Sequence, residues 1–364
     1  MKIGILTFYN VANYGAALQA WALKDFLMSH GHDVEFVNHT PRATADNFYS
    51  VLRNSIIGDC SVLKKVVKVF LLPINVSLGL IKISKYRSFV KRFLAENPVQ
   101  DSIEGYDAVI VGSDQVWNYK LTGGYDPFFW GTADCKGTRP KHIAYAASVN
   151  LSNIEDEGFA SKALSDFSAI SVREKTAIPL LSKYTNKPIH FVCDPTCLVT
   201  REAWNKLIDK KLIPEEDYLL IYPVGNVEET IRIGKRIAKE RGLKVVRMMS
   251  QISMRQDKDT YFYDGPEGFL SKISGAKVVV TSSFHGTILS VIFNRDFYSI
   301  RQNAGSNDRA LSLLTYLGIE GRLVSSYEQC RECAPINYNE VNSKIDAFRD
   351  LSADFLTKSL YAIK

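Results

Sequence analysis

The chain is 364 residues long, 46% apolar and 23% charged, with a formal charge of +6 at pH 7. That length exceeds what one hydrophobic core usually serves, so two domains facing a cleft are expected, and the composition excludes a disordered chain. Spanning a bilayer as a helix takes about eighteen consecutive uncharged apolar residues, and the sequence has no such run; Met1 to Phe8 read as a buried strand rather than a signal peptide, which points to the cytoplasm.

A strand over 2–8, a Gly-bearing turn from Asn10 to Gly15, a helix from Ala16 to His30 and a strand from Asp33 to Asn38 form a βαβ opening. Between Arg53 and Arg92, nine Lys or Arg residues stand against one acidic residue, Asp59. This segment reads as helices packed on the first domain with a solvated basic face, or as a peripheral membrane contact on anionic lipid. No motif points to nucleic acid. Further strands follow at Ala108–Val111, His142–Ala147, Ala169–Val172 and Ile189–Cys193, with a helix over Lys175–Lys183. They complete a first domain over 1–200 that carries a basic helical insertion at about 50–95.

A second series runs from strand Tyr218–Pro223 through helix Val227–Arg241, strand Lys244–Met248, helix Pro266–Gly275 and strand Lys277–Thr281. It continues with helix His285–Phe293, strand Asp296–Ile300 and helix Asp308–Leu317, giving a second domain over 201–338. Turn residues between Pro195 and Glu216 mark the hinge, and residues 339–364 hold a terminal helix expected to pack back on the first domain. The fold class is α/β, with two Rossmann-like domains. Six cysteines are too sparse for a disulfide scaffold, and the single C-x-x-C pair, Cys330 and Cys333, lacks the two further ligands of a zinc site.

In open parallel sheets ligands bind beyond the carboxyl ends of the strands, and four such ends carry chemistry. Asn13 and Gly15 close a turn at a helix start, suited to an anionic or hydroxyl-rich ligand or to a structural turn alone. Ser113, Asp114, Gln115 and Trp117 follow a buried strand; they can grip sugar hydroxyls and stack on a pyranose, or cap a helix and fill the core. Arg173 stands between strand and helix, where its fork could hold a carboxylate or phosphate, or join a surface charge pattern with Glu174. Around His285, the residues Ser282, Ser283 and Gly286 make a hydroxyl-rich helix start where an imidazole can exchange protons beside an anion.

The strings Gly112–Asn118 and Ser283–Gly286, with Ile3–Gln19, Ile143–Ser148, Ser171–Thr176 and Cys193–Thr196 around them, resemble the polysaccharide pyruvyl transferase family. The resemblance implies a GT-B-like fold and transfer of the enolpyruvyl group of phosphoenolpyruvate to a sugar, as a ketal, in a capsule, exopolysaccharide or cell-wall precursor, free or lipid-linked. Phosphoenolpyruvate is then a substrate, and neither cofactor nor metal is implied. It places His285 and Arg173 at the reacting donor, with Ser282, Ser283 and Gly286 around it. The family's further basic residue falls here on Gly305, so Arg301 or Arg309 supplies that charge. Asn13, Gly15, Ser113, Asp114, Gln115 and Trp117 are left for the acceptor. Two other readings remain open: a nucleotide-sugar-dependent glycosyltransferase on the same plan, and an inactive sugar-binding protein.

The two readings of the basic segment separate in vesicle flotation. A lipid contact predicts that wild type floats with anionic vesicles and that the Lys64→Glu, Lys65→Glu, Lys68→Glu variant stays behind; a solvated face predicts that neither floats.

Overall fold

The computed structural model describes residues 1–41, 77–95, 102–149, 157–249, 260–261, 263–302 and 307–362. Residues 53–76 of the basic segment lie outside them. Two all-parallel sheets of six strands each organise the chain.

The first sheet is built from β1 (Lys2–Leu6), β2 (Asp33–Phe36), β3 (Ala108–Val111), β4 (Lys141–Ala147), β5 (Phe167–Val172) and β6 (Ile189–Phe191), in the order β2-β1-β3-β4-β5-β6. Ile5 pairs with Phe36 on one side and Ile110 on the other, so the central strands are apolar on both faces. The second sheet comprises β7 (Tyr218–Tyr222), β8 (Lys244–Met248), β9 (Thr260–Tyr261), β10 (Val278–Thr281), β11 (Asp296–Ile300) and β12 (Leu323–Val324), in the order β12-β11-β10-β7-β8-β9. Strands β9 and β12 are too short to leave a readable pattern. Strand β1 ends two residues earlier than expected, because Thr7 turns its hydroxyl to donate to the Ser113 carbonyl at 2.9 Å.

Helix α1 (Tyr14–Ser29) is buried without interruption from Tyr14 to Leu23, the pattern of a helix enclosed on all sides rather than one lying on a surface. It is enclosed because it lies between the domains. Tyr14 stacks on Phe269 at 4.9 Å and Trp21 packs on Trp204 at 4.8 Å. Residues 77–89 form a helix that runs into a π turn at Val90–Leu94, where Lys24 donates to the Leu94 carbonyl at 2.6 Å. Ion pairs from this element, Lys85–Asp264 at 3.5 Å and Arg92–Glu267 at 3.1 Å, reach the second domain. The terminal helix, Tyr338–Tyr361, packs back on the first domain: Ser352 accepts from the Cys193 amide at 2.8 Å, and Phe348 packs on Phe191 at 5.0 Å. No helix among the described residues is long and apolar enough to cross a membrane.

His142 on β4 is 3% exposed and its Nε2 has no partner. Burial, aided by the Arg139 charge, lowers its pKa from the ordinary 6.5 to about 4. Across that window the unfolded chain binds the extra proton and the folded chain does not, so stability falls as pH falls through it, by about 3 kcal/mol at most. Urea midpoints measured between pH 7 and pH 4 should show this loss in wild type and a smaller loss in His142→Phe.

Candidate active site

In each sheet the strand order reverses once, and the carboxyl ends beside a reversal are where an open α/β sheet leaves a crevice. The first reversal lies between β1 and β3, the second between β7 and β10. The two crevices face each other across one cavity of about 300 Å³, walled by Asn13, Tyr14, Asp114 and Gln115 from the first domain. From the second come Tyr222, Ser283, Phe284, His285, Gln302 and Arg309. Three helices start there: α1, α7 (Phe284–Ile292) and α8 (Asp308–Leu317), following the intervening α2 to α6 (residues 77–89, Glu157–Asp166, Ala177–Leu181, Val227–Arg241 and Pro266–Gly275). Their N-termini direct partial positive charge toward the space between the domains.

Beneath the cavity lies a buried charge cluster. Arg173, with a side chain 1% exposed, donates from Nη1 to Asp194 Oδ2 at 2.6 Å and to Ser113 Oγ at 3.1 Å, and from Nη2 to Asp114 Oδ1 at 3.3 Å. Glu174 stands 3.6 Å from Arg173 Nε and accepts from the Ser148 hydroxyl. Asp194 Oδ1 accepts from the Thr196 amide at 3.0 Å and hydroxyl at 2.8 Å. Burial pushes the Asp194 carboxyl up, but the Arg173 charge and the donated hydrogen bonds, joined by the His285 charge once acid protonates the ring, outweigh it and hold the carboxyl below its usual range. Glu174 goes the other way: its burial is only partly offset by Arg173 and Ser148, and its carboxyl rises.

His285 sits in the first turn of α7, 7% exposed, with Nε2 lacking a hydrogen bond and 3.8 Å from Asp194 Oδ2. Burial lowers its pKa against the opposing pull of Asp194, so the ring is neutral at pH 7 in the empty cleft. Its other edge touches helix α1, where a Cβ added to Gly15 would come within 2.1 Å of Nδ1. Only glycine leaves room for the ring. Asn13 caps that same helix, its Oδ1 accepting from the Gly15 amide at 3.0 Å. The Gly286 site is equally tight, with Thr281 Oγ1 2.5 Å from an added Cβ.

The residues read from sequence therefore divide. Asn13, Asp114, Gln115, Ser283, His285 and Arg309 line the cavity, with Gly15 and Gly286 setting its close approaches. Trp117 does not reach it: the indole is 3% exposed, stacks on Trp130 at 5.0 Å and donates to the Phe129 carbonyl at 2.9 Å, so it fills the first-domain core. Ser113 is fully buried and faces Arg173 and Asp194. Ser282 Oγ bonds the Val224 backbone at 2.8 Å and so fixes the loop after β7. Arg301 is exposed and lies off the cavity, its carbonyl accepting from Asn226 at 3.2 Å. Arg173 is committed to carboxylates, which leaves Arg309 as the arginine on the cavity wall; both guanidiniums lie over Phe284, at 5.0 and 6.0 Å. Sequence reasoning missed Asp194, Gln302 and Tyr222. Asp194 had two readable signals, its position just after β6 and its place in the Cys193–Thr196 string; Gln302, which donates to the Ser282 carbonyl, has none.

A model described as polysaccharide pyruvyl transferase matches residues 13–303. No curated protein matches the chain in sequence. Among solved structures, the UDP-N-acetylglucosamine 2-epimerase of Rickettsia bellii is 11% identical over 100% of this chain and 96% of its own, with a TM-score of 0.51. A further UDP-N-acetylglucosamine 2-epimerase is 11% identical over 100% and 96%, with a TM-score of 0.50. At such identity the likeness shows the fold alone: two Rossmann-like domains facing a cleft, as in GT-B proteins.

Removing the cation of the buried cluster leaves Asp194 and Asp114 uncompensated. Arg173→Met should therefore lose about 3–5 kcal/mol at pH 7 by urea denaturation, a loss that shrinks as acid protonates the carboxyls. An arginine that served only a ligand would cost the empty protein nothing on removal.

Proposed function

The chain belongs to the polysaccharide pyruvyl transferase family, and we propose that it transfers the enolpyruvyl group of phosphoenolpyruvate to a sugar of a polysaccharide or its lipid-linked precursor, forming a pyruvate ketal and releasing phosphate. The observation that carries this reading is the meeting of Arg309, three helix N-termini and a buried, neutral His285 on one small cavity. Phosphoenolpyruvate presents a carboxylate and a phosphate within a few bonds of each other, and such a set of positive ends suits that pair of anions.

The reaction moves two protons, from the two sugar hydroxyls to C3 and to phosphate. As the first sugar hydroxyl adds to C2, the enol C3 gains a proton and becomes a methyl group. The C2–O bond to phosphate then breaks, and the second hydroxyl closes the ketal. Of the two protons lost by the hydroxyls, one replaces that delivered to C3 and the other leaves with phosphate, so atoms and charge balance. His285 is placed for this traffic: donor anions raise its proton affinity, the bound proton passes to C3, and the neutral ring then takes a hydroxyl proton. Arg309 and the helix N-termini would stabilise the charge that builds on departing phosphate. Asp114, Gln115 and Asn13 on the opposite wall would hold the sugar hydroxyls.

Phosphate release from phosphoenolpyruvate with galactosyl, glucosyl and mannosyl acceptors, free and lipid-linked, tests the reading. Acceptor-dependent release is expected in wild type, is abolished in His285→Ala, and in Arg309→Met needs about tenfold more phosphoenolpyruvate. A melting temperature raised by UDP-sugars and unmoved by phosphoenolpyruvate would replace this reading with a glycosyltransferase.

A further inference from the structure

We propose that His285 acts through Nδ1, and that Asp194 is a positioning residue that keeps the proton of the neutral ring on Nε2. The inference names the working atom of the site proposed above; the tautomer itself is a property of the empty protein and stands apart from the identity of the donor.

The two nitrogens of the ring have different surroundings. Nε2 is buried, makes no hydrogen bond, and has the Asp194 carboxylate 3.8 Å away. A lone pair on Nε2 would face that carboxylate and be repelled, whereas an N–H there is attracted. Nδ1 packs against helix α1 at Gly15, where an added Cβ would come within 2.1 Å of it, and makes no hydrogen bond among the described residues, while the residue as a whole lines the cavity. The side chain carried by any other residue at position 15 would occupy the space in front of Nδ1. The charged groups around the ring come from four elements: Arg173 after β5, Asp194 after β6, Asp114 after β3 and Arg309 on α8. Of these, Asp194 is the one whose carboxylate approaches the ring, 3.8 Å from Nε2, and it is itself held from three sides by Arg173, Ser113 and Thr196. A carboxylate so fixed cannot swing toward the cavity, so its role is to orient the ring while Nδ1 gives and takes the proton.

The test reads the proton directly. In 15N-labelled full-length protein at pH 8, where the ring is neutral, long-range proton–nitrogen correlation reports which nitrogen carries hydrogen, and loss of the signal in His285→Gln assigns it. A protonated Nε2 with a bare Nδ1 is expected in wild type; a protonated Nδ1 overturns the inference and leaves the donor reading intact. Asp194→Asn can present an amide N–H to Nε2 and should shift the ring to the Nδ1–H form, lowering phosphate release on the order of a thousandfold with little change in the KM for phosphoenolpyruvate. An unchanged tautomer in a folded Asp194→Asn removes Asp194 from the role. Should that variant not fold, Gly15→Ala leaves Asp194 in place and crowds Nδ1: proton retained on Nε2 with phosphate release lost supports the assignment, and full activity overturns it. If phosphoenolpyruvate fails to bind, the donor reading falls while the wild-type tautomer still decides this one.

Discussion

An ion pair out of reach of water holds the floor of the cleft. Arg173 and Asp194 meet at 2.6 Å with side chains 1% and 0% exposed, and each is the hub of further bonds: Arg173 to Ser113 and Asp114, Asp194 to Thr196 and toward His285. Two buried charges are tolerated only when geometry and hydrogen bonds compensate the loss of hydration, so the ends of β3, β5 and β6 must arrive together for the pair to exist. The pair thus ties three strand ends of the first domain into one rigid base. The second domain places its histidine against that base.

Contact between the domains is equally constrained. Helix α1 begins in the first crevice and is enclosed by residues of both domains, with Tyr14 on Phe269 and Trp21 on Trp204. Its first turn leaves no room for a side chain at Gly15, because the His285 ring occupies that space. A small residue on one domain and an imidazole on the other therefore set how closely the two crevices approach. The cavity remains small because aromatic rings from both sides, Tyr14, Tyr222 and Phe284, fill the junction around it. The electrostatics follow from the same closeness. Burial lowers the proton affinity of His285 in the empty protein, and an anion bound beside the ring would raise it.

Much of this was legible in the order of residues. Apolar runs of four to six bounded by turn residues announce buried parallel strands, and helices such as Val227–Arg241, with its inward face at Thr230, Ile233, Gly234, Ile237 and Ala238, coincide with their expected bounds. Strand-end position alone picked out Asn13, Asp114, Gln115, Ser283 and His285, because in a doubly wound sheet every strand end at a reversal opens on the crevice. From the same kind of position, Trp117 turns into the first-domain core and Arg173 turns beneath the cavity toward Asp114 and Asp194. A strand end marks where a side chain begins and carries no information on whether it turns toward the crevice or back beneath it.

What the sequence determined by itself is the fold class, the alternation of strand and helix, and the family, since these follow from periodicity and local strings. Tertiary structure alone decided which polar residues line the cavity and which lie buried beneath it. Asp194 and His285 are 91 positions apart, a separation over which no local pattern operates, and they meet only because two sheets turn their reversal points toward each other. Whether an arginine serves a ligand or the protein depends on which carboxylates surround it. For Arg173 these are Asp114, Glu174 and Asp194, brought together from three strand ends by folding.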